Sequence, residues 1–165
     1  GDFDYDYLLD VVLDDDGIVV AGGRVMPTTA RWGDHTYMLG DAVRGKLIKI
    51  PPSITGAVQI GPQSWECTRV VVSDGLGQAE RAEALSLLVT GMVEVASRFG
   101  ATELVCLSRL TLVRALRQLG FAAEKRGEPY TCEDDGKQYA LLSMPARHAE
   151  RRVPSTVPAG LPSRH

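Results

Sequence analysis

The sequence predicts an α/β fold built around one central sheet, and three observations support this prediction. Runs rich in β-branched residues alternate with runs of helical periodicity, in the order β-β, a long excursion, then β-α-β-α-β-β. No internal repeat interrupts that order. With 165 residues, of which 44% are hydrophobic and 24% charged, the chain suits one globular domain with a core of ordinary size.

The first two β-rich runs, YLLDVVL (7–13) and GIVVAGGR (17–24), are separated by three aspartates and Gly17. This pattern predicts a hairpin with a tight acidic turn. The stretch from Met26 to Ser64 is rich in proline and glycine, so we expect a long excursion with at most a short helix around Asp41 to Lys46. Long excursions in compact domains are usually functional.

The second half of the chain alternates regularly. Apolar residues at spacings of three and four predict a first long helix, and Gly100 and Gly120 are predicted to close the two helices. The predicted elements are strands at 65–73, 103–108, 121–125 and 138–143 and helices at 79–99 and 110–119. From about Pro145 the composition changes to proline, arginine and serine, so we divide the chain into a domain at 1–145 and a loosely docked tail at 146–165.

Charge and hydropathy exclude several classes of function. The net charge is -3 and the pI is near 5.6, so there is no basic excess to neutralise the phosphates of a nucleic acid. No apolar stretch reaches the roughly 18 to 20 residues needed to cross a bilayer, and the acidic start does not resemble a signal peptide. We therefore expect a soluble, cytoplasmic protein that binds neither nucleic acid nor membrane.

The three cysteines are odd in number and widely spaced, with no CxxC pair among them. This spacing predicts neither a disulfide framework nor a zinc site, so we expect reduced packing residues and no bound metal. They are Cys67, Cys106 and Cys132.

The stretch SWECTRVVV (64–72) places Glu66 and Arg69 at the mouth of a hydrophobic strand. Charged groups there are costly to desolvate unless they pair with each other or bind a ligand, and both interpretations are open on these residues alone. In a regular strand Glu66 and Arg69 point to opposite faces. If the two residues serve one site, the strand must bulge between them, as strands often do beside active sites.

Four segments together resemble the acyl-homoserine lactone synthases of the LuxI type. They are GGRVMPTT (22–29), YMLGDAV (37–43), WECTRVVV (65–72) and LSRLTLVRALRQLGF (107–121), in the family's order and rough spacing. The resemblance covers about residues 1–145, and WECTR together with GGRVMPTT is its most specific part. It implies a three-layer sandwich of the GNAT-like N-acyltransferase type with a mixed central sheet.

The resemblance also implies a reaction. S-adenosylmethionine and an acyl thioester, carried by acyl carrier protein or coenzyme A, would give an N-acyl-L-homoserine lactone for quorum sensing, with no cofactor. Glu66 and Arg69 are then expected to be catalytic, with Glu66 accepting a proton from the substrate amine. The expected substrate-binding residues are Asp4, Asp6, Arg24, Trp65, Thr68, Val105 and Ser108.

Two departures from the family pattern affect these expectations. Family members begin with a longer region that carries an arginine, a phenylalanine and a tryptophan, and no such region precedes Gly1, so we expect either that the chain is truncated or that this region is missing. The family spaces two aspartates three apart in an E-x-D-x-Y/F-D signature, whereas Asp2, Asp4 and Asp6 lie two apart.

Acyl specificity follows from one position in the resemblance. Members that prefer 3-oxo chains often carry a threonine three positions before the serine of a serine-arginine pair, and Val105 stands at that position relative to Ser108. Because valine cannot donate a hydrogen bond, we expect an acyl chain without a 3-oxo group.

Two rival functions remain open from the sequence. One is another N-acyltransferase of this fold that transfers an acyl group from coenzyme A to an amine. The other is a non-catalytic ligand-binding domain of the same fold, in which the charged residues are only structural.

Overall fold

The structure, a computed structural model, describes residues 8–29, 31–32, 35–36 and 50–146. Six strands form one sheet in the order β1-β2-β5-β6-β8-β7, and β3 and β4 pair separately. Strands β5 and β6 are parallel and the other neighbours are antiparallel, so the sheet is mixed as predicted. The elements are β1 (Leu8–Leu13), β2 (Val19–Pro27), β3 (Arg31–Trp32), β4 (His35–Thr36), α1 (Pro52–Thr55), β5 (Ser64–Val72), α2 (Gln78–Arg98), β6 (Glu103–Arg109), α3 (Leu110–Gln118), β7 (Glu124–Thr131) and β8 (Gln138–Pro145).

The leading hairpin has the acidic turn that the sequence predicts. The Asp14 carboxylate accepts hydrogen bonds from the backbone N–H groups of Asp16 and Ile18, each at 2.9 Å. Gly17 has a φ of 82°, a left-handed conformation that a residue with a side chain rarely adopts. Asp14 therefore closes this turn through its side chain.

The two faces of the sheet differ in what covers them. Helices α2 and α3 pack on one face, which we call the helix face, and bury the larger apolar core there, including Leu88, Leu104 and Leu116. Helix α1 covers part of the opposite face, the α1 face, where Ile54 packs with Val105 and Leu141 at 0% exposure. This confirms the predicted sandwich of helices on both sides of a mixed sheet.

Both long helices end where the sequence predicts. Gly100 (φ 93°) follows α2, and Gly120 (φ 96°) follows α3, so each helix stops at a left-handed glycine. Helix α2 has 21 residues, and none of the helices in the described ranges is long and apolar enough to cross a membrane.

Strand β7 lies further along the chain than predicted, beginning at Glu124 instead of Phe121. The Phe121 N–H bonds back to the Leu116 carbonyl, and the Ala123 carbonyl accepts from Arg117 Nε at 2.7 Å. The backbone at 121–123 is therefore committed to closing α3 and cannot join the sheet.

Helix α1 was not predicted from the sequence. The prolines of the stretch from Met26 to Ser64 led us to expect a long excursion there, but a proline is tolerated in the first turn of a helix, where its missing N–H has no partner to lose. The predicted short helix at 41–46 and most of the predicted tail, 147–165, lie outside the described residues.

Candidate active site at the fork of two parallel strands

The sheet splits between its two parallel strands. Strands β5 and β6 pair at Ser64–Glu103, Trp65–Leu104 and Glu66–Val105, and their register ends there. Beyond that point β5 stays paired with β2 as far as Val72, and β6 stays paired with β8 as far as Arg109. We call this opening the β5/β6 fork. It widens toward the carboxyl ends of the parallel strands, where open α/β sheets usually bind ligands.

Glu66 lies at the apex of the fork. It is 0% exposed, and its neighbours across the sheet are Met26 on β2 and Val105 on β6. Strand alternation places its side chain on the α1 face together with Ser64 and Thr68. The β5–β6 pairing ends at Glu66, so this buried carboxylate lies next to the space that a substrate in the fork would occupy.

Arg24 and Thr68 lie beside Glu66 on the same face. Arg24 on β2 is directly opposite Thr68 on β5, and both residues are half-buried. Arg24 is also a diagonal neighbour of Glu66, a relation that spans about 7–8 Å and is within reach of a long side chain. The structure thus brings together three of the residues that the sequence singled out.

Strand β5 has an irregularity directly after Thr68. Between the Arg24–Thr68 and Gly22–Val71 pairs, β5 advances three residues while β2 advances two. One extra residue of β5 is therefore accommodated at positions 69–70 opposite Gly23, which is the bulge that a shared site would require. The backbone of Arg69 lies in this bulge, whereas its side chain lies outside the described part of the structure.

An apolar cavity of about 30 Å³ lies behind the fork on the helix face. Its lining includes Cys67 and Val70 from β5, Cys106 from β6, Met92 from α2 and Leu112 from α3. The volume exceeds the roughly 10–15 Å³ that one water needs, but it falls well short of the roughly 150 Å³ of a cavity known to hold benzene. An acyl chain of several carbons would therefore have to displace lining side chains, among which Met92 is the most flexible.

The predicted acyl tunnel agrees with this cavity in part. Leu85, Met92 and Val105 contribute to the lining, while Leu88 packs in the larger core and Leu107 packs beside the Ile54 cluster. Val105 borders the cavity, yet its side chain belongs to the Ile54 cluster on the α1 face. The expected effect of Val105 on 3-oxo chains stays a prediction.

Trp65 and Ser108 lie on the helix face, away from Glu66. Trp65 stacks on Phe99 with ring centroids 6.1 Å apart, and its indole N–H donates to the Pro62 carbonyl at 3.2 Å. Ser108 lies near the open end of the fork, and its hydroxyl is buried. Asp4 and Asp6 lie outside the described residues. The substrate contacts expected of these two residues and of the other binding residues stay predictions.

The thiols near the fork are poor nucleophiles. All three cysteines are free, as predicted. Burial, and then the neighbouring Cys106 thiol and Glu66 carboxylate, raise the pKa of Cys67 well above its usual value. Burial and the charge of Glu66 raise the pKa of Cys106 to about 12. Because a thiol attacks as its thiolate, neither residue supports covalent catalysis at neutral pH.

A polar cluster that sequence reasoning missed lies at the closed end of the fork. The Glu103 carboxylate accepts hydrogen bonds from Ser64 Oγ at 3.2 Å and Ser143 Oγ at 3.1 Å, and it forms an ion pair with Arg126. Arg126 also donates to Ser143 at 2.8 Å. Glu103 begins a buried strand. The signal that singled out Glu66, a charged residue at the mouth of a hydrophobic strand, therefore applies to Glu103 as well.

The polar cluster lowers the pKa of Glu103. Partial burial by itself raises the pKa, but the hydrogen bond and charge of Arg126 and the two serine hydroxyls outweigh that effect. The pKa of Glu103 therefore lies below its usual value, and the carboxylate is ionised at neutral pH. This cluster joins β5, β6, β8 and β7 in one continuous polar contact.

Known proteins are similar to this chain in sequence and in fold. No family model matches the chain. An acyl-homoserine-lactone synthase of Ralstonia nicotianae is 27% identical over 125 residues, which are 74% of this chain and 56% of the relative. One of Ralstonia solanacearum is 28% identical over 135 residues, which are 79% of this chain and 60% of the relative. The chain thus matches less than two thirds of these relatives' lengths.

Solved structures agree on the fold. TofI, in a complex with an inhibitor and MTA, superposes with a TM-score of 0.67 at 20% identity, covering 86% of this chain and 65% of its own. BjaI, a CoA-dependent acyl-homoserine lactone synthase solved with SAM and isopentyl-CoA, gives 0.62 at 18% identity, covering 90% and 63%. AAC(6')-Ib, in complex with ribostamycin and coenzyme A, gives 0.52 at 13% identity, covering 91% and 70%. The predicted resemblance to acyl-homoserine-lactone synthases is thus confirmed by similar proteins, in sequence by the curated relatives and in fold by TofI and BjaI.

Proposed function

We propose that this protein makes an N-acyl-L-homoserine lactone, a quorum-sensing signal, from S-adenosylmethionine and an acyl thioester. The α-amine of S-adenosylmethionine attacks the thioester carbonyl, which forms the amide and releases the thiol. The carboxylate of the same substrate then displaces the sulfonium from the γ-carbon, which closes the lactone and releases methylthioadenosine. The acyl donor is a thioester of coenzyme A or of acyl carrier protein.

The fully buried carboxylate of Glu66 at the apex of the fork carries this proposal. The sheet separates the α1 face, where Glu66, Thr68 and Arg24 lie, from the apolar cavity on the helix face. A thioester lying in the fork could place its acyl chain in the cavity while the amine approaches from the side of Glu66. The two substrates of the reaction differ in polarity in the same way as the two faces.

Each step makes a specific demand on the side chains around the fork. An α-amine with a pKa of about 7.7–8.0 is mostly protonated at neutral pH, so Glu66 accepts its proton, directly or through one water. Arg24 or Arg69 holds the substrate carboxylate, since a guanidinium can bind both carboxylate oxygens at once. Asp4 pairs with the ammonium group, and Asp6, Trp65, Thr68, Val105 and Ser108 complete the binding site.

The names of similar proteins support the choice of substrates. The curated relatives are acyl-homoserine-lactone synthases, TofI was solved with MTA, and BjaI was solved with SAM and isopentyl-CoA. The match to AAC(6')-Ib keeps the nearer rival open, in which an acyl group moves from coenzyme A to an amine without lactone formation.

One incubation separates the proposal from both rivals. The full chain is mixed with S-adenosylmethionine and a panel of acyl thioesters of coenzyme A and acyl carrier protein, and the release of thiol, methylthioadenosine and lactone is measured. We expect all three products in equal amounts. Release of thiol without methylthioadenosine would support a different N-acyltransferase, and no turnover with any thioester would support a binding domain.

A further inference from the structure

Ser108 carries a buried hydroxyl that has no hydrogen-bond partner among the described residues. The residue is 6% exposed, and its Oγ is shielded from solvent. A buried polar atom without a partner is destabilising, and native structures contain few of them. Where one persists, a ligand that completes its hydrogen bonding is one explanation.

The position of Ser108 indicates which part of a ligand it would meet. Strand alternation places Ser108 on the same face as Cys106, which lines the cavity, and about 7 Å further toward the open end of the fork. The neighbour of Ser108 on β8 is Ala140, and its small methyl group leaves space beside the Ser108 hydroxyl. Ser108 therefore lies where the apolar cavity gives way to the open fork.

An acyl thioester changes from apolar to polar where its hydrocarbon tail meets the thioester carbonyl group. Its hydrocarbon tail suits a cavity in which no polar atom is exposed, and its first polar atom after the tail is the carbonyl oxygen. A serine hydroxyl can donate one hydrogen bond and accept others, so it can serve this oxygen. Because Ser108 Oγ is shielded from water, such a hydrogen bond is stronger than it would be at an exposed site.

We propose that the Ser108 hydroxyl donates a hydrogen bond to the carbonyl oxygen of the acyl thioester and stabilises the negative charge that develops there when the amine attacks. The inference rests on the proposed function and assigns Ser108 a catalytic role within it. When the amine nitrogen bonds to the carbonyl carbon, the π electron pair moves to the oxygen, and it returns when the carbon–sulfur bond breaks. A hydrogen-bond donor in a water-excluded site is a usual means of stabilising this charge.

Binding in the absence of S-adenosylmethionine provides the first test. The ligands are an acyl-CoA and the thioether analogue of the same length, which differs only in lacking the carbonyl oxygen. Loss of one neutral hydrogen bond weakens binding by roughly threefold to tenfold, so we expect Ser108→Ala to lose that much affinity for the thioester and none for the thioether. Equal losses for both ligands would mean that the hydroxyl meets another atom and would overturn the proposal.

Turnover provides the second test. We expect Ser108→Ala to lower kcat on the order of 10²-fold, the range found when one oxyanion donor is removed, and Ser108→Thr to restore part of it. The loss should be the same for thioesters of more and less acidic thiols. A loss that disappears with an acidic leaving thiol would instead indicate proton donation to sulfur, and unchanged kcat would overturn the inference while leaving the proposed function intact.

Ser143→Ala is the matched control. Ser143 is also a serine at 6% exposure on a neighbouring strand, but its hydroxyl bonds to Glu103 and Arg126 on the α1 face. We expect this variant to lower Tm without changing the ratio of thioester to thioether affinity. Ser108→Ala should keep or raise Tm, because it removes a hydroxyl that has no protein partner. A large fall in the Tm of Ser108→Ala would indicate a structural role and contradict the proposal.

The binding test also distinguishes a failed inference from a failed function. If Ser108→Ala loses affinity for the thioester and none for the thioether, but the wild-type chain releases no methylthioadenosine, the proposed function is wrong while the Ser108 hydrogen bond to the carbonyl oxygen stands. If the chain releases methylthioadenosine but Ser108→Ala behaves as wild type, only the role of Ser108 is wrong.

Discussion

The two ends of the β5–β6 pair differ in the polarity of their side chains. At the closed end, Ser64, Glu103, Ser143 and Arg126 form a polar cluster across four strands, and the Thr102 and Glu103 N–H groups both donate to the Gln63 carbonyl. At the open end the strands part, and apolar side chains and thiols line the gap. A sheet that must open at one end needs firm pairing at the other. The comparison predicts that changes at the closed end affect stability and that changes at the fork affect activity.

The largest expected effect is at Glu66, where the two ends meet. Glu66→Gln keeps the shape of the side chain but removes the proton acceptor, so we expect kcat at saturating substrates to fall by roughly 10²-fold or more. The midpoint of urea unfolding should change little. Glu103→Gln, which alters a carboxylate at the closed end, should show the reverse pattern. Wild-type turnover in Glu66→Gln would return Glu66 to a structural role.

Met92 tests whether the cavity behind the fork holds the acyl chain. Met92→Ala should lower the free energy of unfolding by about 2–5 kcal/mol, because it empties a buried position. If the acyl chain occupies this space, the preferred thioester should also lengthen, since each additional buried methylene contributes about 0.8 kcal/mol. kcat/KM measured across a series of straight-chain thioesters would reveal the shift.

Leu88→Ala is the control for Met92. Leu88 lies one turn earlier on the same helix and is 1% exposed, but it packs in the core and does not line the cavity. We expect a similar loss of stability and no change in the preferred chain length. The same shift in both variants would mean that it reflects a loosened core.

Arg126 tests the closed end. Arg126→Met removes the cation from the Glu103 carboxylate, and leaving that partly buried group short of a partner should cost about 1–3 kcal/mol of unfolding free energy. Turnover at a temperature where the variant is folded should stay near that of wild type. Arg98→Met, which removes the exposed arginine of an ion pair with half-buried Glu94, should change stability by less than about 0.5 kcal/mol.

The contribution of Arg126 should depend on pH. The pKa of Glu103 is lowered in the folded protein, so the stabilisation is fully present above its unfolded value of 4.5 and is lost as the pH falls through the folded value. The difference in stability between wild type and Arg126→Met should therefore be constant near neutral pH and shrink below about pH 4.5. A difference that persists unchanged at lower pH would show that packing, and not the ion pair, is responsible.

The smallest expected effect concerns the thiols. Cys67 and Cys106 border the fork and have raised pKa values because they are desolvated, whereas Cys132 lies at the end of the β7–β8 hairpin. Iodoacetamide at neutral pH should modify Cys132 first in the native protein and all three cysteines after unfolding. Peptide mass spectrometry gives the order. Early modification of Cys106 would mean that the fork opens to solvent in the free protein.

Most strands and both long helices could be predicted from the sequence because their signals are local. Asp14 and Gly17 specify the first turn, and Gly100 and Gly120 mark the helix ends within a residue or two. The prediction was wrong for β7, since the hydrogen bonds that hold residues 121–123 come from α3 and carry no local signature. Helix α1 was missed for a related reason. A proline pair disrupts the interior of a helix but is compatible with its first turn, and the sequence does not say which position the pair occupies.

The sequence by itself determined the α/β class of the fold, that Glu66 and Arg69 are unusual for their strand, and that the chain resembles acyl-homoserine-lactone synthases. Those conclusions rest on residue type, period and order, which a linear chain displays fully. Only the tertiary structure decided that β5 and β6 part at Glu66, that Val105 packs with Ile54, and that the Ser108 hydroxyl is buried without a protein partner in the described residues. These features depend on pairing register and on which face each side chain occupies, and a shift of one residue in a strand reverses every face.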